Sequence, residues 1–301
     1  MTAVFKNLNF RKLKISDYEE FRILFFSCFK KKISLEFFKW RYFSDKYSFC
    51  YAAFDSSRLI ANVGLISTKF NYKSTKINYS RHSSMVQKKY RGIGIFSKLL
   101  EKVKRKFFNN TSLIFMWPNK NNFANFGFDK KNMVKKKYYL YKTCSTLNSS
   151  QKIKNCSIND LNKYKKFIKN NDSLFIKNFF YFKKRYLSYR NHEYFINKFV
   201  HKNLTSFLIL KRNKDKSGIN YVILDHFGSK KIYSKHLSYL ISSLDNLIFL
   251  SKKRKNNPHY EFLNSINLKV GFVKKFNIEE KKFFLNNKEV FLGDTDIFIT
   301  I

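Results

Sequence analysis

The chain has 301 residues, 44% of them hydrophobic, with only 8 Gly and 2 Pro; this excludes a disordered or fibrous protein and suits two domains of ordinary size. Its formal charge is +41. Such a charge fits a nucleic-acid binder, but the basic residues are spread along the whole chain and Lys, Asn, Ile, Phe and Tyr are inflated together. That pattern points to compositional bias and leaves a surface suited to small anionic ligands.

In chain order, Arg11 to Ser16 reads as a short strand. Asp17 is placed to cap a helix running to Phe29. Leu35 to Phe43 reads as a second, aromatic-rich helix. Phe49 to Phe54 and Leu59 to Phe70 form a hairpin turning at Asp55-Ser56-Ser57. Lys76 to Gln87 is a further strand. Ile95 to Phe108 carries Ile95, Phe96, Leu99, Leu100, Val103 and Phe107 at helical spacing. Leu113 to Trp117 reads as a buried strand and Asn121 to Phe126 as at most a short helix. Gly127-Phe128 and a strand from Lys131 to Tyr141 close the first half. Lys142 to Gln151 is polar and aperiodic, and reads as a linker. The expected domains are 1–143 and 150–301.

The second half echoes the first. Phe38-Lys39-Trp40-Arg41-Tyr42 recurs as Phe182-Lys183-Lys184-Arg185-Tyr186, and Gly127-Phe128-Asp129-Lys130-Lys131 as Gly271-Phe272-Val273-Lys274-Lys275, both 144 residues on. Leu113-Ile114-Phe115-Met116 recurs as Leu247-Ile248-Phe249-Leu250, 134 residues on, which a shorter loop explains. Three matches in one order argue for a duplicated fold.

One stretch carries chemistry. Lys88-Lys89-Tyr90-Arg91-Gly92-Ile93-Gly94 lies between a strand and an amphipathic helix. Glycines let backbone N–H groups approach a phosphate, the helix N-terminus adds partial positive charge, and Lys88, Lys89 and Arg91 add full charges. The spacing fits neither a P-loop nor a dinucleotide fingerprint. In the second half the matching segment, Asp225 to Lys231, holds only Gly228, so the fold is expected there without the phosphate cradle.

Met85-Val86-Gln87-Lys88-Lys89-Tyr90-Arg91-Gly92-Ile93-Gly94-Ile95-Phe96-Ser97-Lys98-Leu99-Leu100 resembles the acyl-coenzyme A motif of the GNAT superfamily of N-acetyltransferases. Trp117-Pro118-Asn119 and Gly127-Phe128 are similar to that family's next motif. Trp40-Arg41-Tyr42 resembles a subset of its two-lobed members. The resemblance covers about residues 8–141, and the second half is a looser match. It implies an α/β (α+β) fold, with a mixed central sheet flanked by helices and duplicated as two lobes. It further implies that acetyl-CoA lies in a splay after the strand, paired with the backbone of Met85 and Val86. Lys89 and the segment Arg91, Gly92, Ile93, Gly94, Ile95 and Phe96 would hold its pyrophosphate, and Asn119 would sit near the thioester. A small primary amine, such as an amino-sugar of surface polysaccharide, would be the acceptor.

Catalytic groups are less marked. His82 lies on the strand before the turn, on one face with Ser84 and Val86 by even spacing, and reads as a general base or as a structural histidine. Asp294 and Asp296 would hold or deprotonate a cationic amine, or end a solvated strand. The family's usual Tyr before Gly-Phe is missing, Phe123 standing in that segment; Tyr138 or Tyr139 are substitutes. Trp40 and Trp117 fit core packing better than a substrate groove. Cys28, Cys50, Cys144 and Cys156 have no CxxC spacing, so no zinc site is expected, and buried free thiols point to the cytoplasm. Met1 to Phe10 has no apolar core, and no membrane span is expected. Two alternatives stand beside the acetyltransferase reading: a tRNA-dependent aminoacyl transferase of the cell wall, and a non-catalytic binding protein on the same fold.

Overall fold

The computed structural model describes residues 8–68, 77–107, 111–116, 133–143, 155–168, 177–188, 193–215, 218–244, 246–251, 255 and 260–272. The chain divides into two compact units. One is 1–135 with 269–283; the other is 136–268 with 284–301.

The first unit opens with β1 (Leu8–Lys12) and α1 (Tyr18–Phe29). Phe21, Leu24 and Phe25 are the buried side of α1, the i, i+3, i+4 spacing that makes one helical face. Asp17 precedes this helix but does not cap it through its side chain. Its carboxylate instead accepts the Lys14 N–H at 2.7 Å and pairs with Arg11 at 2.6 Å, closing the turn before the helix. α2 (Leu35–Phe43) starts at Ser34, whose hydroxyl accepts the Phe37 N–H at 3.1 Å. Then come β2 (Phe49–Asp55), β3 (Arg58–Thr68), β4 (Ile77–Val86), α3 (Ile95–Phe107) and β5 (Thr111–Met116).

The sheet of this unit runs β1-β2-β3-β4-β5 and then takes residues Lys269–Phe272. β1 to β4 are antiparallel and β4 to β5 is parallel. Opposed residues share a face, so Leu65 lies with Arg81 and Gly64 with His82 on the other side. Leu65 joins Ile95, Leu99 and Val103 in the core beneath α3. The Tyr42 ring of α2 packs over Gly64, where a Cβ would lie 2.7 Å from Cε1. The sheet is thus covered on both faces. Phe21 and Phe38, both fully buried, pack with tilted rings 4.7 Å apart beside Tyr42. Each such side chain contributes about 1.5–3 kcal/mol of burial.

The second unit comprises β6 (Met133–Thr143) from Lys136 onward, β7 (Asn155–Ser157), α4 (Phe179–Phe182, continued by a π-turn over Lys183–Leu187), β8 (Tyr194–His201), β9 (Leu204–Asp215), β10 (Gly218–Gly228), α5 (Tyr233–Ser243) and β11 (Leu247–Ser251). Its sheet order is β6-β11-β10-β9-β8-β7, with β10 and β11 parallel. β12 (Tyr260–Phe272) follows, and its last four residues are the ones that pair with β5.

Thus the strand at 133–143, expected to close the first half, pairs with β11 through Tyr139↔Ser251 to Lys142↔Ile248. The first unit receives Lys269–Phe272 in its place. The expected linker begins inside β6, which runs to Thr143; residues 144–151 lie outside the described residues.

The first strand lies at Leu8–Lys12 and not at Arg11 to Ser16, where Ile15–Asp17 forms a 3-10 turn; the helices, the β2–β3 hairpin and β4 match within a few residues over the described positions. The segment Asn121 to Phe126 and the Gly127-Phe128 step lie outside the described residues. Among the described residues no helix is long and apolar enough to cross a membrane.

Candidate functional site

β4 holds the site in place, and two irregularities shape it. Among the described residues its pairing with β5 ends at Ser80↔Phe115, leaving Arg81 to Val86 beyond the last paired residue on that side. Its pairing with β3 steps from Gly64↔His82 to Asn62↔Met85, so between these pairs one residue of β3, Val63, opposes two of β4. The extra residue is a bulge at Ser83-Ser84. Ser83 has φ 43°, a left-handed conformation uncommon outside glycine. Asn62 Nδ2 donates to the Ser83 carbonyl at 3.0 Å, and the Tyr42 hydroxyl hydrogen-bonds the Ser83 hydroxyl. Burial pushes the Tyr42 phenol well above its ordinary pKa, so it stays protonated.

The bulge corrects one expectation. Strict alternation would place His82 on one face with Val86. Through the inserted residue His82 shares its face with Met85 instead, while Val86 packs into the core under α3. His82 Nε2 hydrogen-bonds the Ser80 hydroxyl two residues back on its own strand.

After β4 the chain makes a 3-10 turn at Lys88–Tyr90, bends through Arg91 to Gly94, and enters α3. Gly92 and Gly94 have φ +80° and +82°, and a Cβ at either would meet nothing within 4 Å. Sterics leave these positions open, so the glycines are there for backbone conformation. Successive N–H groups in such a turn face one concavity, and the first turn of α3 carries no acidic side chain against it. Lys88 and Lys89 are exposed beside it, and the Lys89 ammonium sits 4.8 Å above the Tyr90 ring. Tyr90 is buried, and its hydroxyl donates to Asp55 Oδ2 at 2.5 Å, tying the turn to the β2–β3 hairpin. Ile95 and Met85 are buried, Ile93 is 40% exposed, and Phe96 lies under the Arg81 guanidinium at 5.7 Å. Burial lowers the Arg81 pKa to about 10.

Two partners of this turn were not legible in sequence. Arg91 Nε donates to the Val86 carbonyl at 2.9 Å, so its side chain folds back over the end of β4. The Cys28 thiol, at the end of α1, lies 3.6 Å from the same oxygen and 3.9 Å from Arg91 Nη2. Nothing in the spacing of α1 marks Cys28 as a neighbour of β4. The expectation of buried thiols is met by Cys50 but not by Cys28 and Cys156, which are partly exposed. Trp40 packs against Phe37 at 5.4 Å. Tyr138 and Tyr139 lie on β6, in the second unit. Asn119, Asp294, Asp296, Trp117, Phe123 and Cys144 lie outside the described residues.

The second unit has a similar run of elements with a shorter turn. Asn178 caps α4 as Ser34 caps α2, 144 residues earlier. A 3-10 turn at Lys230–Ile232 answers Lys88–Tyr90, 142 residues earlier. Eight residues, 87–94, separate β4 from α3, but only four, 229–232, separate β10 from α5. The 3-10 turn therefore runs directly into the helix, and the equivalent of Arg91 to Gly94 is missing. This deletion supplies four of the ten residues by which the 134-residue echo falls short of the 144-residue ones.

No protein-family model matches the sequence, and a search of curated proteins returned no match. Solved structures do match. A GCN5-related N-acetyltransferase from Anabaena variabilis ATCC 29413 aligns with a TM-score of 0.66 at 8% identity, over 89% of this chain and 73% of that one. A GCN5-related N-acetyltransferase from Kribbella flavida aligns at 0.58 and 9% identity, over 89% and 72%. Eis1 from Mycobacterium abscessus aligns at 0.57 and 10% identity, over 88% and 73%. At such identities the likeness speaks for architecture alone, and the architecture is clear: the chain has the fold of the GCN5-related N-acetyltransferases.

Proposed function

We propose that the chain is an N-acyltransferase that takes its acyl group from acetyl-CoA and gives it to a primary amine of a small molecule. One observation carries this reading. The strand that parts from its neighbour after Ser80 leads into a basic turn with two left-handed glycines at the N-terminus of α3. An open strand edge beside an anion cradle suits a ligand with a diphosphate at one end and an amide-bearing arm at the other. The N–H groups from Arg91 to Phe96 would hold the diphosphate, helped by Lys89, and the backbone of Val86, next to Met85, would pair with the arm.

In the reaction the amine nitrogen forms a bond to the thioester carbonyl carbon, and the carbon–sulfur bond breaks. The ammonium must first lose a proton, and the leaving thiolate must gain one. His82 is the candidate base; it lies on β4 just before the bulge. Backbone N–H groups on the open side of β4 would hold the oxyanion. Asn119 and Asp296 remain proposed contributors near the thioester and the amine. The acceptor is read as an amino-sugar by analogy with two-lobed members of this fold. The compartment is read as the cytoplasm, and the lobes as products of duplication.

Calorimetric titration with acetyl-CoA tests the reading. Saturable binding is expected, and Gly92→Glu, which places a carboxylate in the cradle, should abolish it. Absence of binding by the unmodified chain would sink the proposal. An affinity for RNA that falls steeply with salt would favour a nucleic-acid role instead.

A further inference from the structure

The bulge of β4 is strained, yet it is held from two sides by buried side chains of α2 and β3. Ser83 occupies φ 43° without being glycine. Asn62, fully buried, donates to its carbonyl, and Tyr42, fully buried, meets its hydroxyl. Room for the Tyr42 ring exists only because residue 64 lacks a Cβ. Conformations of this kind persist where surrounding groups over-determine them, and they gather at functional sites.

The bulge also decides which backbone groups face the open edge. Gln87 N–H donates to the Ile60 carbonyl, toward β3. By alternation the Val86 N–H and C=O point the other way, and Arg91 Nε reaches that carbonyl. Without the inserted residue the phase would reverse, and Val86 would turn toward β3.

We propose that Tyr42 is a positioning residue for acyl transfer: through the Ser83 hydroxyl it fixes the bulge, and the bulge aims the open-edge N–H groups of β4 at the thioester carbonyl. The proposal rests on the acyltransferase reading above. Tyr42 itself is buried and touches no substrate. The second unit makes the same contact, Tyr186 on Asp225, beside the step in register between Ile223 and Asp225 of β10. A clamp on a bulge is thus a repeated device of this chain, and in the first unit it sits beside a phosphate cradle.

Infrared difference spectroscopy of carbonyl-labelled acetyl-CoA on the full chain reads the polarisation of the thioester and needs no acceptor. The stretch should lie below that of free acetyl-CoA in the unmodified protein and return most of the way in Tyr42→Phe. Affinity should stay within about threefold, because the cradle is untouched. Ser83→Ala, which disturbs no core ring, should give the same return, and the double variant no more. With an active acceptor in hand, kcat should fall about 10- to 100-fold at little change in KM. A purely structural Tyr42 would lower the melting temperature and leave the stretch in place, which would overturn the clamp. Binding with no polarisation in the unmodified protein would overturn the clamp alone; no binding at all would overturn the acyltransferase reading and the clamp with it.

Discussion

The Tyr186 hydroxyl donates to the Asp225 carboxylate at the bulge of β10, as the Tyr42 hydroxyl meets Ser83 at the bulge of β4. The tyrosines stand 144 residues apart and the bulge residues 142. In the second unit the contact is elaborated. Asp225 also pairs with Lys177, and Tyr181 donates to it at 3.2 Å; Lys177 and Asp225 side chains are both fully buried. Where the first unit has a polar serine beside an open edge, the second has a sealed ion pair.

Lys177→Met should therefore cost about 3–5 kcal/mol, because it leaves the Asp225 carboxylate buried without its cation. Adding Asp225→Asn should recover part of the loss. Chemical denaturation of the two variants and the double variant measures the coupling; additive losses would mean the pair does not act as one.

Gly94→Ala should cost about 1 kcal/mol, since φ +82° burdens any residue with a Cβ while the space around it is open. Acetyl-CoA affinity should fall about tenfold as the turn relaxes toward negative φ, a change calorimetry detects readily. Gly64→Ala fails for a different reason: its φ is unremarkable, but the Tyr42 ring occupies the position of its Cβ. It should be destabilised by about 1–3 kcal/mol through overpacking.

Stability should fall on mild acidification. His226 and His236 share the Ser206 hydroxyl at 3.0 and 2.9 Å, and His236 also meets Asn197 at 2.8 Å. Burial lowers both to about 3, and for His226 the nearby His236, Lys177 and Lys230 add to the effect. The folded state keeps them neutral while the unfolded chain takes up protons below about 6.5. Stability is thus complete above that pH and declines as pH falls toward 3, by a few kcal/mol at pH 4. Thermal unfolding from pH 7 to 4 should show the decline, and His236→Leu should flatten its slope even though its midpoint is lower.

A fragment of residues 1–143, the domain suggested by the polar stretch after Thr143, should associate in solution. It contains β5 but not Lys269–Phe272, so a strand edge is left open. Sedimentation should reveal oligomers that the full chain does not form.

Much of the scaffold was legible because apolar spacing is local. α2, the β2–β3 hairpin and α3 follow from Phe37-Phe38, from the turn at Asp55-Ser56-Ser57 and from Ile95, Leu99 and Val103. The left-handed turn before α3 was legible because glycine is scarce and Gly92 and Gly94 lie together. The misses are relations that apolar spacing does not record, most of them between distant segments. Ser83 carries no mark of its left-handed backbone, which Tyr42 and Asn62 impose from 41 and 21 residues away. Asp17 looks like a helix cap until Arg11 draws its carboxylate back. The exchange of β6 for the end of β12 leaves no local signal, since either strand would satisfy the same apolar pattern.

That exchange has a consequence for biosynthesis. β5 is complete once residue 116 has been made, yet its partner ends at residue 272. At roughly 5–20 residues per second, the ribosome takes about 10–30 s to deliver that partner. During this interval the nascent first unit presents an unpaired edge, and chaperones acting on the growing chain have their clearest target there.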